Sequence, residues 1–261
     1  MWGWTQSKDA ELDKFKCKLQ LLTAKNQEPL LYPHLLINTA KDLVLDTLKD
    51  KPTDKDKFAL TNKKLWVVAE LLDVWLKQQK NDANATDNEG NTPLHILCIL
   101  CAEAANLGSG LSAWEKREDK TGYETCTLSH PIAYMFIKLL KITNINLQNA
   151  PGNAPLHIIA TASSEHFEFN AHNLLLAQGA RTDILNIQGK TPMDIAAAYA
   201  KDAVLLECVR LYNNDPKTWQ QIAKENMIQI EDYRLHQNLD GNHLPLATFI
   251  SKKLLGLVHR K

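Results

Sequence analysis

Asp87-Asn88-Glu89-Gly90-Asn91-Thr92-Pro93-Leu94-His95-Ile96-Leu97-Cys98 returns twice further along the chain. The later copies are Asn149-Ala150-Pro151-Gly152-Asn153-Ala154-Pro155-Leu156-His157-Ile158-Ile159-Ala160 and Asn186-Ile187-Gln188-Gly189-Lys190-Thr191-Pro192-Met193-Asp194-Ile195-Ala196-Ala197. Each copy opens with Asn or Asp and reaches a Gly, which takes a positive φ in a turn without steric cost. In two copies a Thr then offers an oxygen to cap a helix. In all three, Pro falls in the first helical turn, where its missing N–H would have had no partner. The string reads as a turn followed by a helix start.

Small residues follow the motif: Cys98 and Cys101, then Ala160 and Ser163, then Ala196, Ala197 and Ala200. Side chains of that size let neighbouring helices approach closely. A second helix per unit is read in Asn173-Leu174-Leu175-Leu176-Ala177-Gln178-Gly179, with three leucines for a core and Gly179 as C-cap. Leu139-Leu140 and Leu71-Leu72 play the same part upstream. Trp66 and Trp75 fall in an amphipathic helix read over 65–80 and are expected in the core.

The three motifs resemble the ankyrin repeat, with the clear likeness covering roughly 62–212. That resemblance implies an all-α solenoid of stacked helix-turn-helix units, at least three of them because no single unit buries its own apolar face. On this reading residues 1–61 form a helical cap, or a degenerate repeat whose first helix spans Leu31 to Leu48 with Pro33-His34-Leu35. Residues 213–261 form a C-terminal cap, with a helix from Pro216 to Leu235 and a decayed motif running from Asn238 through Gly241 and Pro245 to Ala247. The motif histidines His95 and His157 are expected to hydrogen-bond the adjoining turns.

The spacing departs from the family once. Thr92 lies 62 residues before Ala154, against a family period of about 33. An insertion at about 106–130 therefore separates the two helices of one unit, the second starting near Pro131. Within it, Trp114 to Glu118 and Tyr123 to Thr127 flank a turn at Asp119–Gly122, so the insertion is either a plain loop or a short β-hairpin projecting from the stack. A smaller bulge is expected at 163–170.

Composition excludes several functions. Lys plus Arg number 30 and Asp plus Glu number 30, so no global field draws in phosphate backbones or acidic membranes. Nucleic acid is not an expected partner. No apolar stretch approaches the ~20 residues a membrane span needs. The N-terminus lacks the pattern of a secretion signal, and the scattered cysteines Cys17, Cys98, Cys101, Cys126 and Cys208 fit a reduced, cytoplasmic setting.

Two sets of residues could carry chemistry. His95, Cys98 and Cys101 are three apart on one helix, but three ligands without a fourth make an incomplete zinc site, and all three occupy regular motif slots. Cys17 with His34, or Cys126 with His130, would supply a thiol and a base for a cysteine-dependent enzyme using the repeats to dock substrate. Neither pair carries a local signature. The leading expectation is a non-catalytic, cofactor-free, monomeric protein-binding module.

What the resemblance implies about partners is binding of another protein through turn tips and a concave first-helix surface. The tips carry Asp87, Asn88 and Glu89, then Asn149 and Ala150, then Asn186, Ile187 and Gln188; the groove carries Ile99, Thr161 and Tyr199. The insertion adds Trp114, Lys116, Arg117 and Tyr123, of the residue types that dominate interface energy. Composition and irregular repeats also resemble ankyrin effectors that intracellular bacteria deliver into host cytosol, which implies a host protein as partner.

Overall fold

The structure, a computed structural model, describes residues 3–25, 32–49, 55–77, 82–107, 112–116, 123–162, 171–198 and 204–237. These are mostly helical. Ten helices are described: α1 Gly3–Lys25, α2 Tyr32–Lys49, α3 Lys55–Leu76, α4 Pro93–Asn106, α5 Ser129–Leu140, α6 Pro155–Ile159, α7 Ala171–Ala177, α8 Pro192–Ala198, α9 Val204–Asn214 and α10 Pro216–Gln237. One hairpin, β1 Ser112–Lys116 and β2 Tyr123–Thr127, stands between α4 and α5.

Alternate helices make two rows. α2, α4, α6 and α8 adjoin one another in chain order, and each packs on the helix that follows it. Among those following helices, α3 adjoins α5 and α7 adjoins α9, while α10 lies against α5, α7 and α9. The first row is built from the motif. Thr92 accepts from His95 N through its hydroxyl oxygen at 3.4 Å, and His95 Nδ1 accepts from Thr92 N at 3.1 Å, closing a reciprocal cap at the start of α4. Ala154 has no oxygen to give, so α6 keeps only half of this box, the 3.1 Å bond from Ala154 N to His157 Nδ1. In the third copy Asp194 replaces His and closes the full box with Thr191.

The core runs between the rows. Leu94, Leu97, Cys98 and Cys101 of α4 are fully buried with Ile132, Met135 and Phe136 of α5, and Leu156 and Ile159 join Leu174 and Leu175 in the next layer. α4 adjoins both α2 and α6, and its small residues Cys98 and Cys101 are buried.

Three expectations are corrected. The second helix read over 65–80 starts ten residues earlier, at Lys55, because Phe58 is buried and Thr61 is hydrogen-bonded to Thr47 at 2.8 Å on α2. The boundary placed at 61/62 therefore falls within a helix. α10 does not extend the row as an end cap; it crosses the following helices, burying Ala223 and Met227, with Gln178 reaching Met227 Sδ at 3.8 Å.

The hairpin, third, does not stand clear of the stack, since β2 packs on α3. Its first strand is Ser112–Lys116 rather than 114–118, with Ser112 opposite Thr127 and Lys116 opposite Tyr123. Leu128, fully buried at the start of α5, anchors β2, and β1 takes the register this leaves. α5 begins at Ser129, two residues before Pro131, which sits in the first turn where a missing N–H is harmless. The bulge read at 163–170 and the decayed motif at 238–247 lie outside the described residues.

Candidate protein-binding surface

The three turns that precede α4, α6 and α8 are held side by side by a repeated set of bonds. Within each, the first residue closes the turn on the fifth: Asp87 N to Asn91 O, Asn149 N to Asn153 O and Asn186 N to Lys190 O, each at 3.0 Å. Between turns, Ala150 N donates to Glu89 O at 2.9 Å and Ile187 N to Pro151 O at 3.2 Å. A side-chain ladder runs alongside, with Asn149 Nδ2 donating to Asn91 Oδ1 at 2.8 Å and Asn186 Nδ2 to Asn153 Oδ1 at 3.0 Å.

Histidines tie each helix to the next turn. His34 Nε2 meets Asn91 O at 2.8 Å, His95 Nε2 meets Asn153 O at 3.0 Å, and His157 Nε2 lies 3.2 Å from Lys190 O. His34 thus links α2 to a following turn as His95 and His157 link α4 and α6, but its Nδ1 has no hydrogen-bond partner among the described residues where theirs accept at the helix starts. With Nδ1 accepting at the caps of α4 and α6, the ring proton of His95 and His157 sits on Nε2 and points at the carbonyl. Burial pushes the pKa of both below the usual histidine value, against the opposing pull of those carbonyls.

This geometry redistributes the sequence-named tips. Asp87, Asn149 and Asn186 use their side chains inside the turns: Asp87 Oδ1 accepts from Glu89 N and Asn91 N, Asn149 Oδ1 from Asn153 N, and Asn186 Oδ1 from Gln188 N and Lys190 N. Asn186 is buried. The residues left facing outward are Asn88, Glu89, Ala150, Pro151, Ile187 and Gln188. Leu185 and Ile187 stand out at 57% and 76% exposed. Ile187 is one of the tips the sequence names, whereas Leu185 and the ladder partners Asn91 and Asn153 are not among them. The available signal for the ladder was an asparagine at the same place, 91 and 153, in two of the three turns.

Ile99 and Thr161 are half-buried on α4 and just beyond α6, on the row of first helices. Tyr199 and Arg117 lie outside the described residues. Of Trp114, Lys116 and Tyr123 only the strand positions are described, Trp114 opposite Thr125 and Lys116 opposite Tyr123. The hairpin follows the C-terminal end of α4, whereas the tips precede its N-terminal end. A 14-residue helix separates the two by about 20 Å, so insertion and tips do not form one continuous surface.

The candidate chemical groups are placed differently. Cys98 and Cys101 are buried in the core and their thiols are pushed up by burial, Cys98 further raised by its neighbour Cys101. Cys17 is exposed on α1, and His34 is buried with Nε2 on a backbone carbonyl. The Cys126 side chain lies outside the described residues. No cluster of three metal-binding side chains occurs among the described residues, and no described helix is long and apolar enough to cross a membrane. Trp75 is buried, and Trp66 is half-buried against Tyr134 at 5.7 Å between ring centres.

Reactivity should follow that placement, because the thiolate is the attacking form. Iodoacetamide applied to the native protein at pH 7.5 should alkylate Cys17 within minutes and leave Cys98 and Cys101 unmodified until urea is added, as read by peptide mass spectrometry. Prompt native labelling at either α4 cysteine would contradict the packing described here. No protein-family model matches the chain, and no curated protein matches it in sequence.

Proposed function

We propose that this chain is an ankyrin-repeat protein, and that it acts without catalysis by presenting a rigid ridge of turn tips and the adjoining helix row to another protein. Four helix pairs, α2/α3 to α8/α9, would be its units, with the hairpin as an insertion in the second. The observation that carries the reading is the two-rail ladder between turns. It commits backbone and asparagine groups to holding three turns together, while the side chains of Asn88, Ala150, Ile187 and Gln188 are left facing outward. A surface fixed in advance loses little ordering entropy when a partner arrives.

The hairpin makes a second patch at the other end of the helices. The resemblance to effectors delivered by intracellular bacteria directs the search to host proteins. Capture from a eukaryotic cell lysate should lose its specific partner when Asn88, Ala150 and Ile187 are changed together to Lys, with the circular dichroism spectrum unchanged. Replacing Gly108–Thr127 by a short linker should weaken capture less. Undiminished capture by both variants would overturn the reading.

A further inference from the structure

The ridge is chemically graded. Its first turn carries the carboxylates Asp87 and Glu89. Both accept hydrogen bonds from Asn91, but neither pairs with a lysine or arginine among the described residues. Its second and third turns expose Ala150, Pro151, Leu185 and Ile187. Ile187 is the most exposed large apolar side chain among the described residues.

The exposure at the third turn follows from how the ladder ends. A Cβ on Gly90 or Gly152 would strike the next turn, but one on Gly189 meets nothing within 4 Å. Lys190 stands where the inner turns have the acceptors Asn91 and Asn153, and Asp194 where they have His95 and His157. The Gln188 carbonyl has no partner among the described residues. Lys190 is exposed beside the Asp194 carboxylate, so this end lacks the unpaired negative charge that Asp87 and Glu89 offer a basic group.

We infer that the ridge binds an extended segment of a partner protein, with a basic side chain seated on Asp87 and Glu89 and an apolar side chain on Leu185 and Ile187. Charge selects the basic end and the exposed apolar pair selects the other. Two steps between stacked layers, at ~10 Å per pair of packed helices, make roughly 20 Å. That is the length of about six residues of strand at ~3.3 Å each. The inference rests on the binding role proposed above and specifies its ligand.

Fluorescence polarisation with synthetic peptides and the full chain tests it. The probe is a labelled, end-capped peptide with two arginines, four serines, then leucine and isoleucine. Controls place the arginines next to the apolar pair or replace them by glutamate. The spaced probe should bind at least tenfold tighter than either control. Glu89→Lys should weaken it tenfold or more, with a smaller loss for Glu89→Gln, and Ile187→Ser at least fivefold. Equal binding of spaced and adjacent peptides, unchanged binding by the Glu89 and Ile187 variants, or self-association through Ile187 in sedimentation would each overturn the inference. If all peptides fail while lysate capture still depends on the tips, the binding role stands and the ligand is wrong; if capture is also indifferent to the tips, both fall.

Discussion

Gly152→Ala should destabilise the protein far more than Gly189→Ala, although the two glycines occupy the same place in their turns. Both take a positive φ, +77° and +68°, where an L side chain costs about 1–2 kcal/mol. That cost is common to the pair. The difference is what lies beyond: a Cβ at 152 would sit 2.8 Å from Ile187 N and 3.1 Å from Asn186 Cα, whereas at 189 it enters open space. The obstruction is backbone, so relief requires the third turn to move. Moving it stretches the Ile187 N to Pro151 O bond and the Asn186 to Asn153 rung together. Each such bond is worth on the order of 1 kcal/mol, so a total loss of about 3–4 kcal/mol is expected at 152 against about 1–2 at 189. Gly90, with Ala150 N at 2.7 Å, should behave like Gly152, and Gly179, with nothing within 4 Å, like Gly189. Urea melts followed at 222 nm decide it. Equal midpoints for the Gly152 and Gly189 variants would show that the turns are not pressed together as described.

The same contrast marks what could be read from sequence. All four of these positions are glycine, and turn chemistry asks for glycine at each, so the turns and the helices they start were legible. Which glycine has a neighbour was not, because that depends on layers brought together from far along the chain. The ladder asparagines behave alike: Asn91, Asn149, Asn153 and Asn186 read locally as turn formers, and Asn149 and Asn186 read also as binding residues at the tips. In the structure their amides bond across intervals of 33 and 58 residues. The early start of α3 was hidden differently. Lys55, Asp56, Lys57, Lys63 and Lys64 surround Phe58, and the apolar period emerges only once Thr47 and Thr61 are known to meet. Spacing marked the segment between α4 and α5 as extra length, but the packing of β2 on α3 joins elements far apart in the chain, which no local pattern reports.

Acidification should destabilise the protein between pH 6.5 and about 4. His172 on α7 is fully surrounded and donates through Nε2 to Ile159 O at 2.9 Å; burial pushes its pKa down to about 4 against the weaker pull of that carbonyl. His95 and His157 are lowered for the same reason. The unfolded chain protonates these rings near 6.5, so stability is whole above that value. It falls as pH drops and the unfolded state takes up protons that the folded state refuses, and the fall ends where the folded rings titrate. For His172 alone the interval from 6.5 to about 4 corresponds to roughly 3 kcal/mol. Asp194 works in the opposite range: its Thr191 bonds hold its carboxyl below the usual value, so its contribution is lost only at lower pH. Protonating His95 or His157 also turns Nδ1 into a donor facing Thr92 N–H or Ala154 N–H, which breaks the bond at the helix start. Urea melts at pH 7.5, 6, 5 and 4.5 should therefore lose midpoint steadily. His172→Gln keeps a donor for Ile159 O and cannot titrate, so it should flatten the curve by about one proton's worth of slope while costing little at pH 7.5. A midpoint unchanged from pH 7.5 to 4.5, or an undiminished slope in His172→Gln, would mean these rings are not sealed from water, and the close stacking of layers that buries them would have to be given up.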